Sequence, residues 1–281
     1  MELFTDENDG RRKQLGKTKI EFIQSSGILT QPKGFVGAYD YTLNPYSGCS
    51  FGCNYCYAAF FSRTAGEREN WGGWVKVKEN ALGLLIKYRK RPLLDKSIYI
   101  SSVTDPYQPI EKELELTRGV LKELLYYHRP RLVIQTRSPL VTRDLDLFKK
   151  FISIQVNMTV TTDSEIVRKA FEPLCPSNEL RLKAIKELTD NGIKTCITMT
   201  PLLPINDPHV FANMLMQTGV KKFVIQPFHV GKGKFASGIG AAAIEQIEKM
   251  NWTAIRYREV ADILKRRLPF LEEGKKGFSP V

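Results

Sequence analysis

Short apolar runs alternate with amphipathic stretches along most of the chain. Six runs, at 41–43, 97–101, 131–135, 155–160, 194–199 and 222–226, are short and rich in β-branched and aromatic residues. Bounded by polar turns, they read as buried strands. The stretches between them carry a helical period. Residues 114–127 place Leu116, Val120, Leu121, Leu124 and Leu125 on one face, and 179–188 do the same with Leu182, Ile185 and Leu188. A last helix is predicted over 241–264. The first forty residues are polar and rich in Gly and Lys, and read as an irregular lead-in.

Six strand–helix units in series predict an α/β fold, a parallel sheet covered by helices. Right-handed crossovers curl such a sheet into a partial (β/α)6 barrel of TIM type. The expected layout is a lead-in at 1–40, a barrel core at 41–230, and a loop and helix at 231–281 packing on the barrel. Chemistry in this fold collects where strands end. The residues after the runs are Cys49 to Cys56; Ser101, Ser102, Thr104 and Asp105; Thr136, Arg137 and Ser138; Thr161, Thr162 and Asp163; Thr200, Asn206 and Asp207; then His229 and Lys232. Loops are polar in any protein, which accounts for part of this pattern.

Composition narrows the class. At 281 residues and 42% hydrophobic content the chain can bury a sizeable core. No run of some eighteen apolar residues suggests a membrane span. The acidic opening segment lacks an apolar signal core, so a cytoplasmic protein is expected. A formal charge of +12 suits a polyanion such as nucleic acid, or is simply a solvated basic surface. The five cysteines are Cys49, Cys53, Cys56, Cys175 and Cys196. An odd number, with three crowded together, fits metal binding in a reducing compartment better than disulfides.

The crowded three stand in the spacing C-x3-C-x2-C, within Asn44-Pro45-Tyr46-Ser47-Gly48-Cys49-Ser50-Phe51-Gly52-Cys53-Asn54-Tyr55-Cys56-Tyr57. Soft sulfur ligands select zinc, Cu(I) or iron–sulfur clusters. Structural zinc takes four ligands and no second pair is near, so zinc would need a distant residue. A 4Fe–4S cluster on three cysteines leaves one iron open to a substrate or cofactor. Cys175 and Cys196 read as small buried apolar residues.

C-x3-C-x-aromatic-C, with Tyr55 as the aromatic, resembles the signature of radical S-adenosylmethionine enzymes. The wider string is similar to the spore photoproduct lyase-like branch, also described as DNA repair photolyase-like. Thr104-Asp105-Pro106, Thr136-Arg137-Ser138-Pro139-Leu140, Phe171-Glu172-Pro173 with Arg181-Leu182, and Pro201-Leu202-Leu203-Pro204 extend the likeness over about residues 35–265.

The resemblance implies a radical SAM partial barrel with a 4Fe–4S cluster on Cys49, Cys53 and Cys56. The cluster would cleave S-adenosylmethionine to a 5′-deoxyadenosyl radical that abstracts hydrogen from a substrate. It further implies Tyr55 near the adenine; Ser101, Ser102 and Asp105 at the methionyl amino group; Arg137 on the carboxylate; and Thr161 and Thr162 at the ribose. An electron donor such as flavodoxin or ferredoxin is the implied partner. Each residue also has a plainer reading: Asp105 as a turn former, Arg137 as half of an ion pair, the threonines as helix caps. Glu172 and Arg181 read equally as a buried pair or as ligand contacts, and His128, His209 and His229 as surface or turn residues, with only His229, after the last run, having a claim to the site. Spore photoproduct lyase carries a hydrogen-donating cysteine where this chain has Ser102, so the same lesion-repair route is not expected.

Three functions follow. The first is radical chemistry on nucleic acid or a nucleotide, with Lys232 and Lys234 lining the mouth. The second is the same chemistry on a small molecule or peptide. The third is a non-enzymatic, zinc-stabilised nucleic-acid-binding module.

Overall fold

The computed structural model describes residues 10–229 and 239–281; Lys232 and Lys234 lie outside them. Twelve strands follow in chain order: β1 Gln14–Leu15, β2 Thr18–Ile23, β3 Leu29–Thr30, β4 Tyr41–Leu43, β5 Tyr46–Gly48, β6 Trp74–Lys78, β7 Ser97–Ile100, β8 Arg131–Thr136, β9 Ile154–Thr159, β10 Lys194–Met199, β11 Lys222–Ile225 and β12 Leu271–Glu273. The six expected runs are β4 and β7 to β11, each within a residue or so of its predicted ends.

These six are all parallel and neighbour one another in chain order, β4-β7-β8-β9-β10-β11. Right-handed crossovers in sequential order put every helix on the same face of the sheet. The other face is then covered only if the sheet curls on itself, which is the open barrel arc. β12 adds a parallel strand beside β11, and β3 an antiparallel one beside β4.

The two faces have different contents. Leu132, Ile134, Val156, Met158, Ile197, Met199, Phe223 and Ile225 share one cluster with the helix residues Val120, Leu121, Ile185, Leu188, Phe211, Val260 and Leu264. The alternate positions form a separate group, with Tyr99, Val133, Cys196 and Val224 packed against Tyr39 and Phe278. Above it runs a polar ladder. Tyr99 Oη donates to Gln135 Oε1 (2.9 Å), and Gln135 Nε2 donates to the hydroxyls of Thr159 (2.7 Å) and Thr198 (3.0 Å). The C-terminal residues close the bottom of the arc, with Ser279 O accepting from Tyr39 Oη and Val281 O from Arg131.

Three expectations are corrected. Residues 10–40 are not irregular, because β2 pairs in parallel with β6, which pairs with β5 in a second sheet of order β1-β2-β6-β5. The alternation Lys19-Ile20-Glu21-Phe22 that builds β2 is masked by the charge around it. Ile20 joins Tyr46, Val75, Val77 and Ile110 in a small core beneath the start of the cysteine loop. The helix expected over 114–127 keeps its apolar face but breaks at Glu115, which has φ 47°. The helix expected over 241–264 is two, Ala241–Lys249 and Ala254–Arg267. They part because Asn251 turns left-handed, Trp252 Nε1 reaches Leu202 O (3.2 Å), and the Thr253 side chain caps the second helix.

Among the described residues no helix is long and apolar enough to cross a membrane.

The closure of the barrel bottom depends on close approach at Gly277, where an added Cβ would stand 2.5 Å from Val224 Cγ1. Gly277→Ala is expected to lower unfolding stability by about 1–3 kcal/mol through overpacking. Gly83→Ala, in the helix Ala81–Ile86 with open space around it, is expected to raise stability by about 0.5–1 kcal/mol. Denaturant titrations of the two variants test both signs.

Candidate active site at the cysteine loop

β5 runs directly into the cysteine loop, and its last residue, Gly48, pairs with Val75 of β6. Gly48 has φ +77°, and a Cβ there would lie 2.6 Å from Trp74. Gly52, at φ +54°, faces Gly72 backbone to backbone, so neither tolerates a side chain. Gln108, fully buried, accepts from Ser50 N (3.0 Å), and Thr104 Oγ1 donates to Gly48 O (2.5 Å). The loop is thus held from both sides before any ligand binds.

Cys49 and Cys53 are buried and Cys56 is partly so. The three thiols lie near enough to feel one another's charge. Burial pushes Cys49 well above the usual thiol range, and Asp105, Cys53 and Cys56 add to the shift. Cys56 is pushed up to about 11, by burial first and then by Cys53. A cationic centre that takes three thiolates relieves all of these costs together.

Opposite the loop stands a turn that the sequence reading left out of the site. Cys53 Sγ lies 3.5 Å from Cys175 Sγ, both buried. Cys175 is therefore no mere apolar filler. The hydrogen bond shared with Cys175 lowers the Cys53 thiol and Arg137 lowers it further, against the effect of burial. Burial and the neighbouring Cys53 raise Cys175 well above its usual range. No periodicity connects positions 53 and 175; only the packing of β9 and its loop beside the cysteine loop does.

Glu172 occupies the centre of this contact. Burying a lone carboxylate costs several kcal/mol, and Glu172 is fully buried. Burial raises its pKa, but Arg181 at 2.6 Å and Arg137 at 3.8 Å overcome this and bring it to about 2. Glu172 Oε1 also accepts from Tyr55 Oη and from Thr161 Oγ1 (2.9 Å). Of the two readings of Glu172 and Arg181, the structure forms the buried pair.

The candidate ligand residues fall into two groups. Asp105, Thr161 and Thr162 spend their polar atoms inside the protein. Asp105 Oδ1 accepts from Tyr107 N (2.9 Å) and Thr136 Oγ1 (2.8 Å), and Oδ2 from Arg137 N (2.8 Å). Thr162 Oγ1 donates to Pro204 O (2.6 Å). The Tyr55 ring packs against Phe171 and Phe228, and Arg137 donates to its hydroxyl (3.1 Å). Ser101 and Ser102 differ. Ser101 sits at φ 71°, a left-handed conformation rare outside glycine, and its buried Oγ has no hydrogen-bond partner. Ser102 Oγ has only a long contact, 3.5 Å, from Asn44. A left-handed backbone carrying a buried, unsatisfied hydroxyl just after β7 is the arrangement expected of a ligand contact.

His128 is fully buried beside Glu123, correcting the surface reading, while His209 and His229 are exposed.

The family follows from the comparisons. Residues 43–215 match the Radical SAM superfamily, and the chain belongs to it. It is 44% identical over 188 residues to a Methanocaldococcus jannaschii protein called "Uncharacterized protein MJ0683", covering 66% of this chain and 70% of that one. It is 28% identical over 274 residues to "Uncharacterized protein Rv2578c" of Mycobacterium tuberculosis, covering 91% and 76%. Its fold is similar to that of spore photoproduct lyase complexed with dinucleoside spore photoproduct, with a TM-score of 0.59, 13% identity, and coverage of 92% and 82%. A point mutant of the same lyase gives 0.61 at 14% identity with the same coverage. The chain is thus a radical SAM enzyme of spore photoproduct lyase-like fold, and the reading as a non-enzymatic zinc module is overturned. The family's working parts are S-adenosylmethionine, an iron–sulfur cluster and a reductant.

Replacing Glu172 by Gln strands the Arg181 charge in the interior and is expected to cost about 3–5 kcal/mol of unfolding stability. The sign with pH follows from the low carboxyl pKa. The stabilisation is complete above the ordinary value of 4.5 and is lost as pH falls toward about 2. Denaturant titrations of cluster-free protein between these limits are expected to show a flatter pH dependence in Glu172→Gln than in wild type.

Proposed function

We propose that Cys49, Cys53 and Cys56 hold a 4Fe–4S cluster and that the enzyme acts on nucleic acid or a nucleotide. The observation that carries the cluster reading is the glycine-lined loop that sets three cysteines, two buried and one partly so, at the strand ends. Among the described residues no three His, Cys, Asp or Glu side chains close on a single metal ion. A cluster gives each thiolate its own iron and does not need that geometry. When bound, the cluster supplies the electron that cleaves S-adenosylmethionine, and the radical chemistry belongs to that cofactor pair.

The protein's part is binding, aim and exclusion of water. Ser101 and Ser102 hold the methionyl end through the hydroxyls left unsatisfied for it. Asp105 acts one step back, fixing the backbone of Arg137 and the hydroxyl of Thr136. Arg137 pairs with Glu172 through Nε (3.8 Å) and is part exposed, and its remaining guanidinium N–H groups are the donors that take a carboxylate. Tyr55 and the threonines brace these groups through Glu172 and the Pro204 loop.

The substrate reading rests on what lies next to the cluster loop. Tyr57 and Phe61 follow Cys56 on the short turn Tyr57–Phe61 and remain 36% and 60% exposed. Phe60 stacks edge-on against Phe61 at 5.5 Å, and the Arg68 guanidinium lies 5.6 Å over Phe60. Arg63 and Arg68 are exposed. Exposed rings beside cations suit a base and its phosphate, in keeping with the +12 charge.

Anaerobic reconstitution is expected to give a brown protein with about four irons and four sulfides per chain. Cys49→Ala or Cys56→Ala is expected to lose it, and reduction with S-adenosylmethionine is expected to release 5′-deoxyadenosine. Stoichiometric zinc with no iron uptake would sink the cluster.

Affinity for single-stranded DNA and RNA is expected to fall linearly with salt on a log–log plot. Phe61→Ala is expected to weaken binding by about 1–3 kcal/mol, the worth of one stacked base, without changing the slope. Wild type that binds no nucleic acid or nucleotide at any salt transfers the substrate to the small-molecule or peptide class.

A further inference from the structure

Four thiols lie at the site, three of them buried and Cys56 partly so, and the ligand spacing uses three of the four. We infer that Cys175 is a positioning residue that donates an S–H···S hydrogen bond to the sulfur of Cys53 and raises the reduction potential of the cluster. The inference rests on the cluster reading above.

The two sulfurs are 3.5 Å apart, within hydrogen-bonding range for sulfur, in surroundings that exclude water. Either thiol can donate in the cluster-free chain. Iron removes that choice, because a cysteine bound to iron is a thiolate with no proton to give. The bond then runs from Cys175 to Cys53.

The approach is built by the backbone on both sides. Asn54 N donates to Phe171 O and Asn54 Nδ2 to Ala170 O, both at 2.9 Å, which ties the residue after Cys53 to the segment that leads to Cys175. Cys175 N donates to Glu172 O (3.1 Å), and Cys175 O accepts from Arg168 (2.8 Å). The same guanidinium nitrogen donates to Glu172 O (2.9 Å), so the turn is closed by one buried arginine. These bonds fix the backbone of both residues and so hold the two side chains within reach of each other.

The consequence is electrostatic. A donor at a ligand sulfur withdraws electron density from it and offsets part of the added negative charge when the cluster is reduced. The reduced state gains more than the oxidised one, so the potential rises.

The test is an EPR-monitored redox titration of reconstituted wild type, Cys175→Ala and Cys175→Ser, with iron counted in each. The expected result is full iron content in all three, a more negative midpoint in Cys175→Ala, and recovery toward wild type in Cys175→Ser, which keeps a donor. An exchangeable proton coupled to the cluster, lost in deuterium oxide and in Cys175→Ala, is the expected spectroscopic signature. An unchanged midpoint in Cys175→Ala overturns the inference. Loss of iron from Cys175→Ala overturns it in favour of ligation by Cys175. Wild type that takes up no iron overturns the cluster itself, a failure read from the metal count and not from the potential.

Discussion

Four segments of the chain meet at the carboxylate of Glu172. Tyr55 brings the cysteine loop, Thr161 the end of β9, Arg137 the end of β8, and Arg181 the helix Asn178–Asp190. A buried charge is costly alone, and each partner offsets part of that cost. The carboxylate therefore stays ionised only while all four segments are in register. The same requirement sets the cysteine loop against the strand ends, where Cys53 meets Cys175.

The arc itself makes that requirement possible. Its outer face is aliphatic and packs on helices, while its inner face carries Tyr99, Gln135, Thr159 and Thr198 bonded side to side. Hydrogen bonds are directional where apolar packing is not. The inner ladder fixes the rotation of neighbouring strands, and with it where each strand delivers its terminal residues. The C-terminal residues seal the lower end and leave the upper end, with the cysteine loop, for chemistry.

The second sheet has a narrower task. It anchors β5 beside β6, so the loop starts from a fixed residue, and Trp74 fills the space that a side chain on Gly48 would need. A loop held this way presents its sulfurs with little ordering left to be done on binding.

The sequence by itself determined the barrel strands and, through the resemblance of its cysteine loop, the class of chemistry. These are local properties: the period of an apolar run, the spacing of thiols within one loop. The second sheet was missed because Ile20 and Phe22 sit among lysines and glutamates, and the terminal helix was read through its break because Asn251 and Thr253 interrupt the period only briefly. Roles that depend on two distant segments were open until the tertiary structure closed them. Glu172 and Arg181 stood equally as a pair or as ligands, and burial beside two arginines decided for the pair. Asp105 stood as a partner for the methionyl amino group or as a turn former, and three hydrogen bonds within the protein tie both its oxygens to the scaffold. Cys175 looked like a small apolar residue until the turn after Phe171 brought it to Cys53. Spacing along the chain reports neighbours along the chain; which groups share a buried charge or a proton is decided only when the strands set their ends side by side.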